Sequence, residues 1–329
     1  MAFRPLLAFA LFAGLAPAAA TQTAPPSLSF PLACTLGKTC EIQHYVDRDP
    51  GPGTRDYRCG PQTYEGHSGI DIRLMDMAAQ RRGVSVLAAA PGRVVRLRDG
   101  VVERVIGQPG AADVNSQECG NGVVIDHGGG WETQYCHMAK DSIVVKVGQP
   151  VVAGTPLGRV GLSGKTEFPH LHLTVRHGGE VVDPFAPDDS NPSNCRAQPG
   201  LWTAQAKAQM SYHAGQILNA GFTDRQVGMV DVENGGLRTA TAAAPWLIFY
   251  VRATGLLAGD EAELELKGPG GAVLAKARQP ALQNWRAQDL RLIGKRKPPT
   301  GWTPGLYTGD YRVWRQGKVA LSQHVEVRL

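Results

Sequence analysis

All six cysteines of this 329-residue chain, at positions 34, 40, 59, 119, 136 and 195, lie before residue 200. Disulfides among them would staple the first part of the chain and leave the rest to hold itself together by packing alone. That asymmetry predicts two folding units, and the length agrees, because one hydrophobic core rarely serves so many residues. An even cysteine count favours disulfides if the chain is exported. The N-terminus carries the pattern of a secretory signal peptide: Arg4, an apolar run from Leu6 to Leu15, and small residues Ala18 to Ala20, with cleavage expected after Ala20. The run is too short to span a bilayer and no later stretch is long enough, so no membrane span is expected after signal removal. Cys34 follows Pro31, Leu32 and Ala33, the wrong context for a lipid anchor. The expected location is secreted or periplasmic.

Six cysteines allow fifteen pairings, and spacing does not choose outright among them. Cys34–Cys40 is favoured by its short local loop, and the other four lean towards Cys119–Cys136 and Cys59–Cys195. No pair has the Cys-x-x-Cys spacing of a structural zinc site.

Forty glycines and 23 prolines predict many turns and short strands rather than long helices, so the fold class is expected to be mainly β. Hydrophobic residues at 43% and charged residues at 19% exclude a disordered chain. The net charge of +5 is mild. It fits an anionic polymer without demanding one, and no nucleic-acid partner is expected. Residues 21–60 read as an irregular, disulfide-bearing lead-in. Strands are expected at Val84–Ala90, Gly92–Leu97, Val123–Asp126, Glu132–His137, Val151–Leu157 and Leu171–Arg176, with a hairpin turn at Gly128–Gly130. A helix is expected at Met75–Arg82 and a long surface loop over Asp99–Cys119. These elements make a first domain over 61–195. A linker with a helix at Ala204–Ala220 follows over 196–222. Alternation around Leu264 and Leu266, and again at Val325, Val327 and Leu329, predicts a β-sandwich of immunoglobulin-like size over 223–329.

Two local patterns carry chemistry. His67 and Asp71 stand four residues apart, and His170 and His172 alternate on an expected strand, where residues i and i+2 share a face. His137 ends another strand, on the same face as Tyr135 by strand alternation. A catalytic zinc takes three ligands from histidine and carboxylate and leaves a position for water, and further histidines can move protons. Taken singly the patterns are weak: nine histidines in 329 residues give His-x-His by chance on the order of a quarter of once. Their combination is what counts.

Residues 65–185 resemble the LytM/lysostaphin-type zinc peptidoglycan endopeptidases. The likeness rests on Gly66 to Asp71, on Ala89 to Val94, and on Gly120 to Gly128. It continues through Tyr135 to Met138, Gly148 to Leu157, and Gly161 onward to Pro169–His172. It implies a LytM-like antiparallel β-sheet, with His67, Asp71 and His172 as zinc ligands and His137 and His170 as catalytic histidines. The implied reaction is zinc-assisted attack of water on a peptide bond of a peptidoglycan stem or cross-link. In a periplasm the target would be a D-alanyl–diaminopimelate link, and a glycine bridge is not distinguished from it. The chain departs from the family's pattern at Cys136, where a small residue is common, and at Met138, where leucine is common. On a strand Cys136 would face away from His137, which favours a disulfide over a zinc thiolate. The 99–119 loop is long for the family and would line or occlude the groove.

Two alternatives stand against this. One is a non-catalytic or latent cell-wall binding module that activates another hydrolase; such relatives lose metal-site residues, and all five are present here. The other is a zinc peptidase acting on proteins. His44, His127, His177, His213 and His324 lack partners in sequence and are expected to be structural or exposed. Trp246, Phe249, Trp302, Tyr307, Tyr311 and Trp314 are expected in the sandwich core. Lys295 to Lys297 form a basic stretch expected in a loop, and a cell-envelope protein partner through the C-terminal domain is a further expectation.

Overall fold

The architecture follows from strands that alternate buried apolar residues with the polar residues of a site. In a computed structural model of the chain, residues 24–106, 117–187, 195 and 199–329 are described. The expected signal peptide, the middle of the 99–119 loop and most of the boundary at 188–198 lie outside them.

The N-terminal part contains β1 (Cys40–His44), β2 (Ile70–Leu74), α1 (Met77–Arg82), β3 (Ser85–Leu87), β4 (Gly92–Arg98), β5 (Asn121–Gly128) and β6 (Trp131–Met138). It continues with β7 (Pro150–Val151), β8 (Pro156–Arg159), β9 (His170–His177), β10 (Glu180–Val182) and α2 (Ala204–Gln209). The main sheet runs in the order β1-β2-β9-β6-β5-β4-β7, every pairing antiparallel, with β10 added to β9 and a separate β3–β8 pair. Ile70, Ile72 and Leu74 of β2 and Leu171, Leu173 and Val175 of β9 point into one core. Each such side chain contributes roughly 1.5–3 kcal/mol on burial. The intervening Asp71, Arg73, His170 and His172 therefore share the opposite face.

All three disulfides form: Cys34–Cys40, Cys59–Cys195 and Cys119–Cys136. Asp76 caps α1 by accepting from Ala79 N at 2.7 Å. The strand expected over Val151–Leu157 is broken instead into β7 and β8, by a turn in which Gly154 takes a φ of 85°. The lead-in is not irregular throughout. It contains β1, and Leu28 pairs with the segment before α2, its N–H donating to Leu201 O (2.7 Å) and its carbonyl accepting from Thr203 N (2.8 Å).

The C-terminal part comprises β11 (Gln216–Thr223), α3 (Met229–Asn234), β12 (Trp246–Leu256), β13 (Glu261–Lys267), β14 (Val273–Arg278), β15 (Arg286–Arg296), β16 (Leu306–Arg315) and β17 (Lys318–Arg328). Sheets β11-β12-β15 and β14-β13-β16-β17 enclose a second core around Phe249, Leu264, Leu266 and Tyr311. The helix expected over 204–220 ends at Gln209. Leu201, Trp202, Ala206 and Met210 belong to the first core, and β11 already belongs to the second. Trp246 is half exposed at the start of its strand, and Trp314 sits beneath the Arg278 guanidinium at 5.3 Å rather than in the core. Lys295 and Arg296 end β15 instead of lying in a loop.

The two parts are joined by a buried ion cluster. Glu233 of α3 accepts from Arg73 Nη2 at 2.9 Å and pairs with Arg252 of β12, whose other nitrogens reach Met75 O and Asn219. Both arginines are fully buried, and burial pulls the Arg73 guanidinium down to about 10 against the opposing pull of Glu233. Removing the shared carboxylate leaves two unpaired buried cations, so Glu233→Ala is expected to cost about 3–5 kcal/mol, measured by urea unfolding.

A second link joins His213 Nε2 to Glu41 Oε1 at 3.3 Å. The Glu41 hydrogen bond raises the His213 pKa against burial. A raised folded-state pKa gives stability that is complete below about pH 6.5 and lost as pH climbs through the higher value. The stability gap between wild type and His213→Gln should therefore be wider at pH 5.5 than at pH 8.5 in urea titrations.

Candidate metal centre

Antiparallel register assembles the centre. Asp71 of β2 lies directly opposite His172 of β9, and Arg73 lies opposite His170. Opposed residues project to the same face. On the far side of β2, the β1 register slips between Ile42 and His44, and this bulge sets His44 opposite Asp71. His67 comes from the turn before β2. Gly69 keeps that approach open, because a Cβ there would stand 2.6 Å from both His172 Nε2 and Leu173 O.

Three lone-pair atoms converge. Asp71 Oδ1 is 3.1 Å from His67 Nε2 and 2.9 Å from His172 Nδ1, and the two histidine nitrogens are 3.2 Å apart. The remaining nitrogens are engaged elsewhere. His67 Nδ1 bonds Tyr45 O at 2.7 Å and so donates, and His172 Nε2 is 3.0 Å from Thr174 Oγ1. With His172 donating to that hydroxyl, the three central atoms are all acceptors. Three acceptors packed this closely repel one another unless a cation or added protons lie among them. The donor set, two imidazoles and a carboxylate, suits a divalent transition metal.

His137 and His170 flank this cluster, their rings 4.6 Å apart. His137 Nδ1 donates to Ser163 O at 2.8 Å and His170 Nδ1 to Phe168 O at 2.9 Å, which leaves Nε2 as the lone-pair atom of each ring, and His170 Nε2 stands 3.4 Å from Asp71 Oδ1. His137 does not share the face of Tyr135 as strand alternation predicts. Its φ is 59°, in the left-handed region, where the ladder of β6 also shifts register against β5. Tyr135 stays in the core, with Ala89 N donating to its hydroxyl at 2.7 Å, while His137 turns to the site. Cys136, opposite His172 in register, likewise faces the site side, and its disulfide to Cys119 borders the cleft.

Burial and the neighbouring histidines hold His137 well below its usual pKa. Burial also lowers His44 and His172. For His67, Asp71 outweighs burial and raises it. Burial alone would raise Asp71, but the charges of His67 and His170 hold it well below the carboxylate range.

All five expected residues are thus brought to one place, and a sixth joins them. His44, expected to be partnerless, places Nδ1 3.0 Å from Asp71 Oδ2. No local pattern marks it, because its partner is 27 residues away. The other histidines lie elsewhere: His127 bonds Pro91 O, His177 stacks on Trp131 at 4.3 Å, His213 meets Glu41, and His324 meets Asp310. A cleft of about 300 Å³ opens over His67, His137 and His172, with Lys165 and Arg176 on its walls. A second, of about 410 Å³, opens over His44, Asp71, His137 and His170. Of the long 99–119 loop, Ile106 lines the second and Glu118 the first.

Comparison with known proteins finds a family match over part of the chain. Residues 65–184 are a peptidase family M23 domain, the LytM type. The chain is 39% identical over 70 residues to the cell division protein DipM of Caulobacter vibrioides, covering 21% of this chain and 11% of that protein. It is 42% identical over 69 residues to the peptidoglycan DD-endopeptidase ShyA of Vibrio cholerae, covering 21% and 16%. It is 31% identical over 151 residues to the DD-carboxypeptidase/endopeptidase Mpg of Neisseria meningitidis, covering 45% and 29%. The matches thus span less than a third of each relative's length.

If the three acceptors hold a metal, stoichiometric Zn²⁺ should raise the melting temperature of metal-stripped protein. A ligand at about 100 times its Kd adds roughly 2.7 kcal/mol. Asp71→Asn should abolish the shift, read by differential scanning fluorimetry; an undiminished shift in that variant would place the metal elsewhere.

Proposed function

We propose that the M23 domain makes this chain an exported zinc endopeptidase that cleaves stem or cross-link peptides of peptidoglycan. His67, Asp71 and His172 hold the metal, and His137 and His170 transfer protons. The observation that carries this reading is the convergence of three acceptor atoms, within 3.2 Å of one another, beside two histidines whose Nδ1 protons are committed to backbone carbonyls. The names of the endopeptidase relatives support the substrate class. Among the described residues no helix is long and apolar enough to cross a membrane, and the three disulfides suit an oxidising compartment.

Zinc held at these ligands would polarise a peptide carbonyl and lower the pKa of the attacking water. The chain's own residues supply the rest. With His170 beside it as the second proton-transfer ring, a neutral His137, its Nδ1 proton committed to a carbonyl, offers an Nε2 lone pair and accepts the water's proton there. Once protonated, the same atom becomes a donor, to the developing oxyanion or to the leaving amine. The depressed His137 pKa keeps that ring neutral and ready to accept at neutral pH. Ser163 O fixes its tautomer, and the left-handed backbone at His137 fixes its direction. Lys165 and Arg176 on the cleft wall suit a peptide bearing carboxylates.

Incubation of the mature protein, residues 21–329, with purified peptidoglycan and zinc should release new peptide termini visible by mass spectrometry. Chelator should stop the release. His137→Ala and His170→Ala should bind zinc normally and lose about 10²–10⁴-fold in rate. Zinc-bound protein that leaves peptidoglycan intact would sink the endopeptidase reading and favour a binding module that activates another hydrolase.

A further inference from the structure

His44 lies outside the M23 match, on β1, yet touches the carboxylate that the metal reading depends on. The contacts around it form a chain whose polarity can be worked out. Arginine has only donors, so where Arg73 Nη1 meets the Gln43 amide at 2.5 Å, the amide must present its oxygen. The other end of that amide, Nε2, then faces His44 Nε2 at 3.4 Å and donates to it. An imidazole that accepts at Nε2 carries its proton on Nδ1, which is the atom 3.0 Å from Asp71 Oδ2. Every link points the same way, from Arg73 through Gln43 and His44 to Asp71. Arg73 is in turn held by Glu233 of α3, 160 residues away in the chain. The β1 bulge makes the relay possible, because it lets Gln43 reach Arg73 while His44 takes the place opposite Asp71.

We infer that His44 is a positioning residue for the metal centre, donating to Asp71 Oδ2 so that Oδ1 alone is left for the ion, and that Gln43 and Arg73, the latter held by Glu233 of the C-terminal part, set its tautomer. The inference rests on the proposal that His67, Asp71 and His172 hold zinc. A carboxylate bound through one oxygen needs its other oxygen satisfied, and in this buried site His44 does so. Tyr45, the residue after β1, supplies the carbonyl that fixes the His67 tautomer, so His44 and its chain neighbour orient two of the three ligands.

The test is zinc affinity, measured on full-length protein by competition with a chromophoric chelator. The unfolding midpoint of the metal-free protein serves as the control for fold. His44→Leu should weaken zinc binding by about 10–100-fold, as loss of an outer hydrogen bond to a ligand does. His44→Asn, whose amide N–H can stand where Nδ1–H stood, should restore most of the affinity. Gln43→Leu should weaken binding in the wild-type background and add nothing in the His44→Leu background, since both act through one bond. Wild-type affinity in His44→Leu, or equal weakening in the leucine and asparagine variants, would overturn the assignment. A wild-type protein that binds no zinc would instead remove the metal reading on which it stands.

Discussion

The register between β2 and β9 is the constraint from which the rest of the site follows. It sets Asp71 opposite His172 and Arg73 opposite His170, so one ladder presents a carboxylate, a guanidinium and two imidazoles on a single face. A slip of one residue would carry all four to the core side and send Ile72 and Leu171 outward. The apolar partners prevent that slip. Ile70, Ile72, Leu171 and Leu173 are wholly buried, and their transfer out of water fixes which face remains for chemistry. The geometry of the centre is thus held mainly by hydrophobic packing on the other side of the sheet.

That arrangement has a cost which the C-terminal part offsets. Arg73 is fully buried on the site face, where an unpaired guanidinium would be strongly unfavourable. Glu233 supplies its counter-charge and at the same time neutralises Arg252. The second β unit is therefore tied to the first by desolvated charges, a link that tolerates little change in relative position. Its edge also reaches the site, with the Trp285 ring 6.4 Å from that of His44. A module suspended on a free linker would make no such contacts.

Much of the site was legible because strands alternate with period two. His170 and His172 share a face for that reason, although β2, which carries Asp71, was not among the expected strands. The failures have physical causes. Strand β1 was hidden because it is only five residues long, Cys40 to His44, inside a stretch rich in turn residues. With β1 unseen, His44 had no visible partner, since its contact is made by sheet pairing rather than by sequence proximity. The helix expected beyond Gln209 was a misplaced period: Gln216 to Thr223 pairs with β12, and long-range pairing overrode local preference.

His137 shows most clearly where alternation stops being a guide. By period two it belongs with Tyr135, in the core. A single residue in the left-handed region reverses that, at a cost of order 1–3 kcal/mol for a non-glycine residue. The surroundings hold it there: His137 N donates to Cys119 O at 2.8 Å, and its ring donates to Ser163 O. The Cys119–Cys136 disulfide closes the same corner. The cysteine that departs from the family's pattern thus lies next to a non-glycine residue in the left-handed region, and its disulfide ties it to Cys119, whose carbonyl accepts from His137 N. The cross-link and the strained histidine are parts of one device, in which covalent closure of the corner keeps an imidazole aimed away from the core and at the cluster of His67, Asp71 and His172.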